Sequence, residues 1–145
     1  MSLLDALQTS ATGLSAQRLR MNLISSNLAN INTTRTAEGG PYKRKDAVFT
    51  ANPQSSGFND ALARQMDPQR IEVLVTEIRN DERPPVLKFD PGHPDADGDG
   101  FVALPNVNVV EEMVNMISAS RSYEANVTAI KATKDMAADA IDIGR

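Results

Sequence analysis

The chain of 145 residues contains no cysteine, no tryptophan and one histidine, and only 4% of its residues are aromatic. The lack of cysteine excludes disulfide bonds, thiolate metal sites and a cysteine nucleophile. A single histidine argues against a zinc site, which normally takes several nitrogen or sulfur ligands. Because aromatic residues are scarce, the hydrophobic fraction of 41% is mostly Ala, Val, Leu, Ile and Met. This composition suits helices that pack along a narrow seam.

Concentrated positive charge and long apolar runs are also lacking. The net charge is -4, and the basic triplet Lys43-Arg44-Lys45 is too short to form the basic face that nucleic acid requires. We interpret the triplet as a solvated turn or strand edge, with a charged partner contact as the alternative. No stretch approaches the roughly 20 apolar residues of a membrane span. The first residues have neither the basic region nor the apolar run of a signal peptide, so we expect no cleaved signal.

Sequence motifs of catalysis are missing as well. The chain has no Gly-x-Ser-x-Gly turn, no phosphate-binding glycine loop and no His-Glu-x-x-His helix. We therefore expect no enzymatic activity, no catalytic residue, no cofactor and no small-molecule substrate.

A long carboxy-terminal helix is the clearest element in the sequence. Residues 113–143 contain neither proline nor glycine. Apolar residues recur every seven positions at Val109, Met116, Tyr123, Ile130 and Ala137, with Met113, Val127 and Ile141 beside them. A narrow stripe with this repeat favours a helix that packs along another helix.

The amino-terminal residues 3–31 carry a second heptad pattern. Leucine or methionine recurs every seven residues, and a complementary seam runs beside it: Leu7, Leu14, Met21, Leu28; and Leu3, Ser10, Gln17, Ile24, Ile31. The two helices could form an antiparallel hairpin or join a larger bundle. Polar residues in such seams specify register at a cost in stability. Either these are ordinary helices of a small bundle, or they order fully only when other subunits complete their burial.

Between the helices the pattern changes to short strands and turns. The segment 32–41 contains helix-terminating asparagine, glycine and proline. Four strands are predicted: within 42–50, from residue 71, where apolar residues alternate with period two, and over 86–89 and 101–104. The segment 51–69 is predicted to be a loop with one helical turn near 60–65. The predicted fold is therefore mainly α, with a small β-rich insertion at 35–106. The helices in 1–34 and 107–145 would form one helical core as a coiled-coil-like pair.

The segment 95–100, with sequence DADGDG, imitates a calcium loop. Asp95, Asp97 and Asp99 occupy positions 1, 3 and 5 of an EF-hand, and Gly100 occupies position 6. Position 12, which should supply a bidentate glutamate, is Asn106, and prolines replace the flanking helices. We favour a turn-rich connection without a metal. A calcium-responsive binding module that uses the three aspartates is the alternative.

Two sets of motifs resemble a known family. The segment Ser26-Asn27-Leu28-Ala29-Asn30, followed by Asn32-Thr33, resembles the amino-terminal signature of the rod, hook and related axial proteins of the bacterial flagellum. Four further segments resemble the proximal-rod members of this family, so that the likeness runs over nearly the whole chain: 39–45, 90–97, 105–108 and 112–126.

The resemblance implies a structural subunit of the flagellar basal-body proximal rod, part of a helical drive shaft that transmits torque. Such a subunit would pass unfolded through the flagellar type III export apparatus and assemble in the periplasmic space. Its partners would be other proximal-rod and basal-body proteins and copies of itself.

Subunit contacts are predicted along both terminal helices. Asn27 and Asn30 are expected to hold the helix end and the turn that follows, because asparagine satisfies free backbone groups at such places. The predicted interface residues are Leu7, Leu14, Met21, Asn27, Leu28, Asn30, Ile31, Met113, Met116, Ile117, Tyr123, Asn126, Val127 and Ile130.

Overall fold

The computed structural model describes residues 3–52 and 72–143. Ile71 and most of the loop predicted at 51–69 lie outside this range, but Ala51 and Asn52 are strand residues, so the loop prediction was wrong for these two. In chain order the elements are α1 (Leu3–Ala29), β1 (Lys45–Asn52), β2 (Glu72–Asn80), β3 (Val86–Phe89), β4 (Phe101–Leu104) and α2 (Val109–Ile143). The prediction of two terminal helices around a small β-rich insertion is confirmed, and the structure shows that the paired strands are antiparallel. In the described part of the chain, neither helix is long and apolar enough to cross a membrane.

The end of α1 is held by Asn30. Its backbone N–H and its side-chain Nδ2 both donate to the carbonyl of Ser26, at 3.1 and 2.8 Å. Its own carbonyl accepts the N–H of Thr33 at 3.0 Å, and its Oδ1 accepts the Thr33 hydroxyl at 3.2 Å. The predicted role of Asn30 in ending the helix and shaping the turn is therefore confirmed.

The start of α2 is capped by Asn108. Its Oδ1 accepts the backbone N–H groups of Val110 at 3.0 Å and Glu111 at 3.4 Å. These are donors that the helix itself cannot satisfy, which is why asparagine is favoured at this position. The direction of α2 is thus fixed directly after β4.

The two helices form an antiparallel hairpin. Asn27 near the end of α1 bonds to Glu112 in the first turn of α2, whereas Gly13 faces Asn126 further along. A Cβ atom at Gly13 would lie 3.2 Å from Nδ2 of Asn126. Ala119 on α2 is fully buried. Small residues at these positions let the helix axes approach closely.

The seam of α2 differs from the predicted one at its second set of positions. Met116, Tyr123, Val127, Ile130 and Ala137 are at least half-buried as expected. Val109, Met113 and Ile141 are exposed, so the prediction of a seam within the chain was wrong for these three. The second inward series instead consists of small and polar residues: Glu112, Ala119, Asn126 and Thr133.

Local hydrogen bonds explain why this polar series can face inward. Thr133 Oγ1 donates to the carbonyl of Ala129 at 2.8 Å, and Asn126 Nδ2 donates to the carbonyl of Ser122 at 3.0 Å. A buried polar group that is hydrogen-bonded avoids the cost of desolvation without a partner. The apolar side chains on the other face of α2 are consequently left to solvent.

A second surface of α1 packs on the sheet formed by β1 and β2. The strands are antiparallel, from Lys45 opposite Asn80 to Asn52 opposite Glu72. Thr12 Oγ1 accepts the backbone N–H of Val73 at 3.2 Å. Thus α1 contacts both α2 and this sheet, although its heptad pattern predicted only a helical partner.

The remaining strands, β3 and β4, pair antiparallel over the predicted ranges 86–89 and 101–104. Phe89 and Phe101 contact each other edge to face, with ring centroids 5.3 Å apart. In the turn between the strands, Gly100 has a φ of 82° and its carbonyl accepts the N–H of Asp90 at 2.9 Å. Only glycine adopts this conformation without strain.

We expect Gly100→Ala to lower the free energy of unfolding by about 1 to 3 kcal/mol, because the positive φ is strained for alanine. The new Cβ would also lie 3.0 Å from Cε2 of Phe89 and 3.2 Å from Cβ of Pro91. Urea unfolding measures the loss. The matched control is Gly98→Ala, whose Cβ would meet open space. Equal effects of the two substitutions would contradict this account of the turn.

Candidate functional site

A buried cluster of polar side chains, the polar junction, joins three elements of the fold. It consists of Asn27 from α1, Tyr42 and Arg44 from the segment before β1, and Glu112 from the first turn of α2. Asn27 and Glu112 have no exposed surface and are the largest fully buried side chains in the described part of the chain.

The amide of Asn27 uses all of its hydrogen-bonding capacity. Its Nδ2 donates to the carbonyl of Lys45 at 2.9 Å and to Oε2 of Glu112 at 3.0 Å. Its Oδ1 accepts the Lys45 N–H and the Tyr42 hydroxyl, both at 2.9 Å. Two donors and two acceptor sites are all that an asparagine side chain offers. Asn27 therefore ties α1 to β1 and α2, a wider role than the predicted one at the helix end.

Glu112 and Arg44 form an ion pair inside the protein. Nε of Arg44 lies 2.7 Å from Oε1 of Glu112, and 13% of the Arg44 side chain is exposed. Arg44 Nη1 also lies 3.4 Å from Oδ2 of Asp46. Such a pair loses hydration, and only good geometry with further hydrogen bonds compensates for that loss. Here the second carboxylate oxygen has Asn27 as its partner.

The protonation of Arg44 follows from this geometry. Burial lowers its pKa, but the hydrogen bond and negative charge of Glu112, with Asp46 as a further anion, outweigh burial and raise the pKa above its ordinary value. The guanidinium therefore stays charged.

The interpretation of 43–45 as a solvated triplet is wrong for Arg44, whereas Lys43 and Lys45 are exposed as expected. No sequence signal marked Arg44, since its partner lies 68 residues away.

The aspartate-rich turn binds its own backbone. Oδ1 of Asp97 accepts the N–H groups of Asp99 at 3.0 Å and Phe101 at 2.8 Å. Asp95 accepts the hydroxyl of Thr34 at 2.8 Å, which attaches the turn to the segment after α1. In residues 3–52 and 72–143, no three acidic or histidine side chains are grouped to hold a metal ion. These contacts favour the turn-rich connection over the calcium loop.

An apolar stripe lies on the solvent side of α2. This α2 stripe consists of Val110, Met113, Val114 and Ile117. Each of these residues is between 54% and 70% exposed. Positions spaced by three, four and seven residues share one face of a helix. Contiguous exposed apolar patches are a general feature of surfaces that bind other molecules.

The predicted interface residues occupy different environments in the folded chain. Met113 and Ile117 lie in the α2 stripe, and Asn27 is buried. The others are half-buried along the helices or, for Asn30 and Ile31, in the turn directly after α1: Leu7, Leu14, Met21, Leu28, Asn30, Ile31, Met116, Tyr123, Asn126, Val127 and Ile130. The sequence reasoning missed Val110 and Val114, although their spacing to Met113 and Ile117 was a usable signal.

Comparison with known proteins assigns the chain to a family. Residues 7–35 match the family model described as flagella basal body rod protein. Residues 99–143 match the carboxy-terminal model of the flagellar basal body rod FlgEFG proteins. The two matches cover most of α1 and all of α2, and they contain Asn27 and Glu112, respectively.

Full-length relatives give the same result. The flagellar basal-body rod protein FlgC of Borreliella burgdorferi is 46% identical over 99% of this chain and 98% of its own. The FlgC proteins of Bacillus subtilis and Yersinia enterocolitica are 41% and 39% identical, each over 100% of both chains. The chain belongs to the FlgC family of flagellar basal-body rod proteins. It is thus a structural subunit of the basal-body rod, as the resemblance of its motifs implied.

Within this FlgC-family chain, we expect Glu112→Ala to lower the free energy of unfolding by about 3 kcal/mol, because Nε of the largely buried, charged Arg44 loses its acceptor and only the exposed Asp46 remains as an anionic partner. Circular dichroism during urea unfolding measures the change. The control is Glu111→Ala at the exposed neighbouring position, where we expect a change within about 0.5 kcal/mol. A similar small loss in both variants would show that the ion pair does not hold the junction together.

Proposed function

We propose that the chain is a subunit of the proximal rod, where its terminal helices pack against those of neighbouring subunits and transmit torque along a helical shaft. The observation that carries this proposal is the α2 stripe. The folded chain leaves these four apolar side chains uncovered on one helix face. Burying such a side chain stabilises an interface by about 1.5 to 3 kcal/mol when the burial is complete.

In this proposal, the helices within 1–34 and 107–145 form the helical core and pair like the two helices of a coiled coil. The half-buried heptad residues, such as Leu14, Met21 and Ile130, have surface left for neighbouring subunits. Contacts between unlike surfaces can repeat without closing and so build a helical assembly. The insertion at 35–106 would lie further from the axis and set the spacing between neighbours.

We extend the proposal to the partners and the location of the subunit. We place the subunit in the periplasmic space, among copies of itself and other proximal-rod and basal-body proteins, after passage through the flagellar type III export apparatus. Few apolar side chains are fully buried in the described part of the chain, which supports this route because a small buried core is easier to unfold. The role is mechanical rather than catalytic, and it requires no cofactor.

A negative charge in the α2 stripe should block assembly without unfolding the chain. We expect Met113→Asp to weaken subunit association by about a hundredfold or more, because a charge without a partner is costly to bury. The measurement is incorporation into purified basal bodies, with swimming in soft agar, in a strain that lacks its own rod protein.

The control for this variant is Ala129→Asp, at an exposed position of α2 beyond the end of the stripe. Both variants should keep the helicity and urea midpoint of the unmodified chain. Normal incorporation of the Met113→Asp protein would exclude the stripe as a subunit contact.

The end of α2 should gain order when subunits assemble. The helix has 35 residues against 27 in α1, and the pairing of Gly13 with Asn126 places its last turns beyond the start of α1. Ile141 and Ile143 are exposed there. We expect rapid amide hydrogen exchange over 138–143 in the monomer and slower exchange in the assembled rod, measured by mass spectrometry. Equal protection in both states would contradict coupled ordering.

A further inference from the structure

We infer that the polar junction sets the register of the two antiparallel helices. Because Asn27 and Arg44 both bond to Glu112, only the alignment that places Glu112 beside the end of α1 satisfies them. In this role the three side chains are positioning residues that select one alignment among several similar ones. The inference concerns the folded chain alone and does not depend on rod assembly.

The need for such a device follows from the repeats of the helices. Apolar residues recur every seven positions on α1, as in Leu7 and Leu14, and on α2, as in Met116 and Tyr123. Sliding one helix by seven residues, about 10 Å, would again place apolar side chains against apolar ones. Hydrophobic contact along the seam therefore discriminates poorly between these alignments.

The polar junction does not repeat. Seven residues after Glu112 the inward position is Ala119, and seven residues before it is Pro105, which precedes α2. Neither residue can accept a hydrogen bond through its side chain from Nδ2 of Asn27 or from Nε of Arg44. A slip in either direction would leave a buried amide and a largely buried guanidinium without their carboxylate, which is a strongly unfavourable state.

The junction is also anchored independently of α2. Asn27 Nδ2 and Oδ1 bond to both backbone groups of Lys45, and Tyr42 supplies a third contact. The groups that bond to Glu112 are thus held in place by contacts among α1, the segment before β1 and Lys45 at the start of β1. Glu112 is the complementary group that α2 brings, and its place in the first turn of α2 fixes where the helix begins along α1.

Paired cysteine substitutions can report the register, because the chain has no cysteine of its own. The native pair is Gly13→Cys with Asn126→Cys, since a Cβ at Gly13 lies 3.5 Å from Cγ of Asn126. The slipped pairs are Gly13→Cys with Ala119→Cys and Gly13→Cys with Thr133→Cys. In the native alignment Ala119 and Thr133 each lie seven residues, or about 10 Å, along α2 from the position beside Gly13, which is too far for a disulfide.

The test places each cysteine pair in the full-length chain with a native junction and in the triple variant Asn27→Leu, Arg44→Met, Glu112→Leu. Replacing all three groups avoids an unpaired buried charge. Under mild oxidation at low concentration, the native junction should give only the native cross-link. The triple variant should show slipped cross-links raised by about tenfold or more, because the groups that distinguish the alignments are gone.

Two further variants separate a change of register from a general loss of stability. Ile24→Val trims a buried seam residue, so it should lower the urea midpoint without producing slipped cross-links. If the triple variant does not fold, the double variant Arg44→Met, Glu112→Leu retains Asn27 with its bonds to Lys45 and should also slip.

Only native cross-links in a folded junction variant would overturn the inference. Slipped cross-links in Ile24→Val at the level of the junction variants would overturn it too, since slippage would then follow stability. Loss of helicity in both junction variants would assign the cluster to folding as such and not to register.

Discussion

The buried contact between Asn27, Arg44 and Glu112 is the interaction on which the arrangement of the helices and the first sheet depends. It brings together groups from α1, from the chain entering β1 and from α2, which are 17 to 85 residues apart in sequence. Each of the three elements is held in place by the other two. Since both charges are removed from water, the contact is stabilising only when every partner is present.

Around this contact the chain distributes its apolar residues unusually for a small protein. One of the two inward series of α2 consists of small and polar residues such as Ala119, Asn126 and Thr133, while the valine, methionine and isoleucine side chains of the α2 stripe face solvent. A chain that served only as a monomer would gain stability by the opposite arrangement. This distribution agrees with the proposed packing of the outward surface of α2 against neighbouring rod subunits.

The turn between β3 and β4 illustrates how a motif can be misleading without its surroundings. Its aspartates match half of a calcium loop, yet Asp97 binds the N–H groups of Asp99 and Phe101, and Asp95 binds Thr34. The same residue types that coordinate cations also form tight turns, because a short carboxylate reaches nearby backbone donors. Here Asp97 stabilises the turn itself, and Asp95 attaches the β3–β4 hairpin to the segment after α1.

The sequence by itself determined the two long helices, the four strand regions and the heptad spacing, since periodicity and turn residues are local properties of the chain. The family motifs in it also pointed to a flagellar rod subunit. Only the tertiary structure decided that Glu112 and Arg44 are buried and that Met113 faces solvent. The physical reason is that burial of a charged side chain depends on its partner, and the partners of Glu112 come from parts of the chain that no local pattern connects.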